Sequence, residues 1–264
     1  EIADIQQKIC YADDLVVQGG AFHLWVIEKP ENMSIESLKE EFPAEKAGLN
    51  VLIAPSEKPY HERKVTLLNG PHTVLSPVAY LSGINIVRDA CNDEVVGKYI
   101  HKVQFDELMQ TLNLPMEELQ QFATDVLERF NNPYVDHQVT SIMLNSFPKY
   151  ETRDLPGVKV YLERKGELPQ GLVFGLAAII TYYKGGKRAD GAPIEPNDAP
   201  EIVQLLKELW ATGDTRKVAE GVLAAEYIWK ENLNITVPGL TELVKRYLDL
   251  ILEKGMYEAV KTIL

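Results

Sequence analysis

Apolar positions along this chain follow two rhythms. Two short runs, "FHLWVIE" (22–28) and "NVLIAP" (50–55), are rich in β-branched and aromatic residues and flanked by Gly or Pro, which predicts strands. Between them, "SIESLKEEFPAEKAG" carries the start of a short helix with Ser34 or Ser37 as its cap. Pro55 and Pro59 then mark a break. From Glu62 onward the spacing becomes helical. Residues 62–83 are apolar in a helical rhythm, punctuated by Gly70, Pro71 and Pro77, and Pro77 is expected to kink or break the segment. Residues 92–112 and 115–131 follow the 3.6 period, the second opened by Pro115 with Glu117 and Glu118 beside it. An amphipathic segment runs from Pro133 to residue 147. Residues 170–184, opened by Pro169, are apolar almost without interruption, the pattern of a central buried helix. The Gly/Pro-rich, charged stretch 184–200 predicts a loop, and helices follow at 200–211, 215–231, 238–253 and 256–263. The expected fold class is mainly α, with a short α/β portion over residues 1–60 and a helical domain over 61–264.

Composition narrows the function classes. The 264 residues, 45% apolar and 25% charged, are ordinary for a globular chain of one large or two small domains. With 27 basic against 39 acidic residues the net charge is −12, which argues against nucleic acid as a partner. A small anionic substrate needs only one local basic cluster and remains open. The two cysteines, Cys10 and Cys91, fit neither a disulfide framework nor metal-ligand spacing, and they suit a reducing, cytoplasmic setting. The longest apolar run, Gly171 to Tyr183, is too short to span a bilayer, so no membrane partner is expected. The opening residues Glu1-Ile2-Ala3-Asp4 do not read as a secretory signal. The chain does not start with Met, so processing or a longer parent protein is expected.

Most catalytic signatures find no match. The histidines, His23, His61, His72, His101 and His137, show no zinc-protease spacing, and no metal site is expected. No glycine-rich phosphate cradle follows a strand: Gly19-Gly20 precedes one, and Gly185-Gly186 lies in a polar loop. No cofactor-binding residue is therefore assigned in this chain. No Gly-x-Ser-x-Gly elbow occurs either.

Two segments do carry candidate chemistry. In "KVTLLNGPH", Lys64, Asn69 and His72 are polar within an apolar stretch. On an ideal helix, at about 100° per residue, they fall near 0°, 140° and 80°, on one side. Polar groups on a partly buried face must be paired or functional, and a partly buried lysine is suited to proton transfer. The plain alternative is a snorkelling Lys, a capping Asn and a satisfied His. In residues 129–156, Arg129, His137, Asn145, Lys149 and Arg153 are candidates to face a pocket. His137, Ser141, Asn145 and Lys149 recur every four residues as a polar stripe, which by itself reads equally as a solvated helix face.

The Lys64, Asn69 and His72 pattern in the frame "ERKVTLLNGPHT" resembles the signature of the long-chain polyol and mannitol dehydrogenase family. "NVLIAPSEKPYHERK" (50–64), "RFNNPYVDHQ" (129–138) with Asn145 and Lys149 beyond it, and "ILEKGMYEAV" (251–260) resemble the uronate branch of that family. The resemblance covers almost the whole chain. It implies NAD-dependent, metal-free hydride transfer to a keto sugar acid, interconverting D-tagaturonate and D-altronate. It further implies that Lys64 is the general acid/base and that Asn69 and His72 polarise the reacting oxygen. Lys149 and His137 would contact the substrate. It implies a helical C-terminal substrate domain of the 6-phosphogluconate-dehydrogenase-like type, with residues 1–60 as the end of a Rossmann-like domain. NAD would be held mainly by the preceding N-terminal domain, this domain's partner, without which the chain is expected to be inactive. The rival substrates are fructuronate and polyols such as mannitol. A non-catalytic helical interaction or oligomerisation domain is the rival of another class, and the polar trio counts against it.

Overall fold

The computed structural model describes residues 2–12 and 24–264, which divide into two compact units, Glu1–Tyr60 and His61–Leu264. The start of the first predicted strand, with His23, and the pair Gly19-Gly20 lie outside the described residues.

In the first unit a helix α1 (Ile2–Ile9) precedes a β–α–β arrangement of β1 (Trp25–Glu28), α2 (Ile35–Glu41) and β2 (Val51–Ala54). The strands pair in parallel, with Trp25 opposite Val51 and Glu28 opposite Ala54. A parallel pair needs a crossover, and α2 supplies it. Ser34, extended at φ −83°, accepts the Ser37 N–H at 3.1 Å and caps α2, so the earlier of the two candidate serines is the cap.

The second unit is helical. Helix α3 (Lys58–Lys64) leads through a π turn (Val65–Asn69) into α4 (Gly70–Leu81), followed by α5 (Val87–Asn92) and α6 (Val96–His101). A second π turn (Lys102–Glu107) and a 3₁₀ turn (Leu108–Thr111) extend α6. Then come α7 (Met116–Phe130), α8 (Val139–Met143), α9 (Ser146–Arg153), α10 (Leu155–Lys165) and α11 (Gln170–Tyr182). After a small antiparallel pair, β3 (Gly186–Lys187) with β4 (Pro193–Ile194), the chain ends in α12 (Pro200–Ala211), α13 (Thr215–Leu223), α14 (Glu226–Trp229), α15 (Leu233–Thr236), α16 (Leu240–Lys254) and α17 (Met256–Lys261). Among the described residues no helix is long and apolar enough to cross a membrane.

The core is built on α11, whose residues Leu172 to Ala178 are buried between α4 and α16. Its first turn is bound from three directions. The Glu107 carboxylate accepts the Gly171 and Leu172 amides at 2.7 and 2.8 Å, taking up donors that a helix start leaves unpaired. The Tyr99 and Tyr150 hydroxyls donate to the Gly171 and Leu172 carbonyls, each at 3.0 Å. Burial pushes the Glu107 carboxyl up to about 7, and the two amide donors limit that rise. At Gly175 the backbones of α11 and α4 come very close: a Cβ there would lie 2.4 Å from the Val74 Cβ.

Several sequence expectations are corrected. Helix α4 continues through Pro77. The lost backbone bond is offset because Val74, Leu75, Val78 and Ala79 around it are fully buried. The amphipathic segment 133–147 is not one helix. The chain turns at Pro133-Tyr134 and runs outside any helix to Gln138, held by Arg88, which donates to the Asn132 and Pro133 carbonyls at 3.3 and 3.1 Å and pairs with Asp136 at 2.6 Å. Asn145, in the left-handed region at φ 54°, then separates α8 from α9. The stretch 92–112 is interrupted after Asn92, where Asp93 accepts the Val95 and Val96 amides, both at 2.9 Å. The expected helix 215–231 ends at Leu223 and resumes as α14. Helices α9 and α10 extend well past the segment end expected at 147.

The Gly175 contact yields a prediction. Gly175→Ala should lower the stability of this chain by about 1–3 kcal/mol, the usual cost of forcing a methyl into a packed core. Urea unfolding of the two proteins would show it, and an unchanged midpoint would mean that α4 and α11 do not meet here.

Candidate active site at the start of helix α4

Pro71 explains why the chain makes a π turn at this point. Having no N–H, it cannot donate to the carbonyl four residues back, on Leu67, and its ring would crowd that carbonyl. The ladder widens instead, and the Gly70 amide reaches back five residues to the Val65 carbonyl. The freed Leu67 carbonyl accepts from Nε2 of the fully buried Gln104, at 2.8 Å. Gln104 itself sits in the second π turn. Gly70 is required as well: a Cβ there would fall 2.9 Å from the Asp154 Oδ1 and 3.0 Å from a Leu108 methyl.

The three residues singled out in this motif bracket the turn. Lys64 is its first flank, Asn69 its last residue and His72 lies in the first turn of α4. The wider turn advances by less than the ideal 100° per residue, so the ideal-helix angles do not apply. Lys64 is exposed, which corrects the expectation of a partly buried ammonium. Asn69 and His72 are half-buried, and the Asn69 Oδ1 and the His72 Nε2 are enclosed without a hydrogen-bond partner. Their backbone carbonyls are occupied: Thr73 Oγ1 donates to Asn69 at 2.9 Å and Ser76 Oγ to His72 at 2.7 Å. The side chains are therefore held in place while their polar ends stay unused.

The His72 imidazole stacks on the Phe130 ring at 3.9 Å between centroids and meets His137 edge-on at 5.5 Å. Burial, then the positive charges of His137, Arg153, Arg129 and Lys64, pull its pKa down to about 3. It is thus neutral at pH 7, with one ring nitrogen free to donate.

His137 is exposed and extended, not helical; its carbonyl accepts the Val87 amide at 3.0 Å. The four-residue stripe is accordingly no helix face: Ser141 and Asn145 are exposed on separate pieces of chain. Lys149, on α9, is half-buried and donates to the Ile142 carbonyl at 2.7 Å. Its pKa is lowered by burial and by Arg153. Arg153 reaches the Thr73 hydroxyl with Nη1 at 3.3 Å. Asp154 is fully buried with both carboxyl oxygens unpartnered, and burial raises its pKa well above the ordinary carboxylate value. Sequence reasoning missed Gln104, Phe130 and Asp154. The first two occupy buried positions of helical segments, where pattern alone assigns core. Asp154 follows Arg153 directly and looks like its surface ion-pair partner.

Among the described residues no cluster of His, Cys, Asp or Glu could hold a metal ion. The turn between β1 and α2 contains no glycine.

Residues 57–252 match the family described as the mannitol dehydrogenase C-terminal domain, and the chain belongs to that family. It is 77% identical over 264 residues to an altronate oxidoreductase of Phocaeicola vulgatus, covering 100% of this chain and 54% of that protein. The chain spans about half the length of the curated relatives it matches. Two solved structures share its fold. A substrate-free D-sorbitol dehydrogenase matches 98% of this chain and 50% of its own at a TM-score of 0.77 and 23% identity. Pseudomonas fluorescens mannitol 2-dehydrogenase, in a ternary complex with NAD and D-mannitol, matches 82% and 43% at 0.72 and 21%.

The His72 environment has a pH consequence. The folded pKa of about 3 lies below the ordinary 6.5, so the unfolded chain binds this proton first. The stability linked to His72 is complete above pH 6.5 and lost as pH falls towards 3. Replacing His72 with Gln should flatten the fall of the urea midpoint across that window. Parallel curves for the two proteins would show that His72 is not held neutral.

Proposed function

We propose that this chain is the substrate-binding and proton-transferring half of an NAD-dependent oxidoreductase that interconverts D-tagaturonate and D-altronate. The observation that carries the reading is the π turn, which has Lys64 at its first flank and, at and just beyond its last residue, two enclosed polar atoms without partners, Asn69 Oδ1 and His72 Nε2. The similarity to altronate oxidoreductase and the fold shared with an NAD complex of mannitol 2-dehydrogenase support it.

In this reading residues 1–60 are the end of a nucleotide-binding domain, and residues 61–264 form the substrate domain. A nicotinamide held by the N-terminal part of the full-length protein would supply the hydride when bound. This chain's residues do the rest. The Asn69 amide through Nδ2–H and the neutral His72 through its ring N–H donate to the keto oxygen and stabilise the charge that develops there, while the Asn69 Oδ1 accepts from a substrate hydroxyl. Lys64 Nζ gives a proton to that oxygen, turning the alkoxide into the hydroxyl of altronate; in the reverse direction it takes the proton back. Keeping His72 neutral leaves Lys64 as the acid. Lys149 and His137 line the substrate side. A cytoplasmic setting suits the two free cysteines, Cys10 and Cys91.

The test is the full-length protein assayed with tagaturonate, fructuronate and fructose, each with NADH and NADPH. Tagaturonate with NADH should give the highest kcat/KM; turnover of fructose alone would overturn the uronate reading. Lys64→Ala should lower kcat by about 10²–10⁴-fold, the scale of lost general acid/base catalysis. Its melting temperature should not move, because Lys64 is exposed. Near-normal kcat in this variant would contradict the role given to Lys64.

A further inference from the structure

Several arginines of this acidic chain are neutralised. Arg63 pairs with Glu118, Arg88 with Asp136, Arg188 with Asp190 and Arg216 with Glu242. Around His72 stand cations of another kind. Among the described residues, Lys64, Lys149 and Arg153 make no direct ion pair; Asp198 acts on Lys149 and Asp154 on Arg153 through the field alone, and both Asp198 oxygens are occupied by the Tyr183 hydroxyl and the Ala199 amide. The carboxylates of α9 and its end are turned away from them: Glu151 pairs with Lys230, and the Asp154 oxygens are buried without a hydrogen-bond partner, its pKa raised by burial.

Lys149 and Arg153 stand one turn apart on α9, four residues along, so their side chains are neighbours. Both are half-buried. Unpaired charge in such a position is costly, and burial lowers both pKa values against it. Lys149 spends one N–H on the Ile142 carbonyl, and Arg153 spends one on Thr73, which leaves most of their donors unused. The Thr73 hydroxyl that receives Arg153 itself donates to the Asn69 carbonyl. The guanidinium is thereby tied through one side chain to the turn that carries Asn69 and His72.

We propose that Arg153, with Lys149 beside it, is the seat of the substrate carboxylate and determines preference for a keto sugar acid over an uncharged ketose. The proposal rests on the functional reading above and names the group that reads the acid end of the substrate. A guanidinium matches a carboxylate with two parallel hydrogen bonds, and Lys149 adds a point charge. The tie through Thr73 holds the acid end in register with the keto oxygen at Asn69 and His72. An anionic group could also come from the cofactor phosphates, and the kinetics separate the two sources.

The experiment compares wild type, Arg153→Ala and Arg153→Lys in the full-length enzyme. The substrates are the keto-uronate and the ketose that carries a hydroxymethyl group in place of its carboxylate. In Arg153→Ala the ratio of kcat/KM for the acid to that for the ketose should fall by roughly 10–100-fold, the scale of a lost charge-assisted pair. The loss should appear mainly in KM for the acid, with KM for NADH unchanged. Arg153→Lys should recover part of the ratio. Equal losses on both substrates would mean a structural role, and a raised KM for NADH would assign the cations to cofactor phosphate; either result overturns the proposal. If wild type turns over no keto-uronate, the functional reading fails and equilibrium binding decides the seat alone. Wild type should then bind a hexonate more tightly than the matching hexitol, and Arg153→Ala should lose that preference. Equal binding of the two by wild type would overturn the seat as well.

Discussion

Pro71 has no N–H, and the site depends on that single absence. Without it the Leu67 carbonyl would be bonded inside an ordinary helix. Instead the chain widens into a π turn, and Gln104 takes the freed carbonyl at 2.8 Å. The π turn Lys102–Glu107 then serves two ends of the fold. Gln104 holds the turn between Lys64 and His72, while Glu107 holds the first turn of α11 at the centre of the core. The site is thereby fixed to the most buried helix of the domain through two residues of one short segment.

Electrostatics completes what the backbone begins. A chain of net charge −12 gathers Lys64, Arg129 and Arg153 around one imidazole. Burial and those charges keep His72 neutral, and burial raises the pKa of Asp154, which weakens its charge beside Arg153. Asn69 and His72 keep enclosed polar atoms without partners, an arrangement that costs stability and makes sense when a ligand supplies the missing bonds.

Much of this was legible in the sequence where the signal is local. The parallel β–α–β, the cap at Ser34 and the buried α11 follow from apolar runs, cap chemistry and hydropathy. The match of residues 57–252 to the mannitol dehydrogenase C-terminal domain agrees with the family resemblance of the motif around Lys64. The failures share a cause: they depend on tertiary contacts. Arg88 holds residues 132–136 out of a helix from 44 to 48 positions away, so the apparent helical stripe from His137 to Lys149 does not form. Pro77 is tolerated because its neighbours are buried. The consequence of Pro71 was hidden because a proline after Gly70 reads as a helix start, and only Gln104, over thirty residues on, makes the alternative stable.

The central claim is that the missing donor at Pro71 sets the geometry of the site. The most direct test is kcat of the full-length enzyme carrying Pro71→Ala, measured with the keto-uronate. A restored N–H can bond the Leu67 carbonyl, displace Gln104 and return the turn to an ordinary helix, which rotates His72 away from Lys64. The account predicts a loss of roughly tenfold or more in kcat, the scale of sub-ångström to ångström misplacement of reacting groups. An unchanged kcat would contradict it.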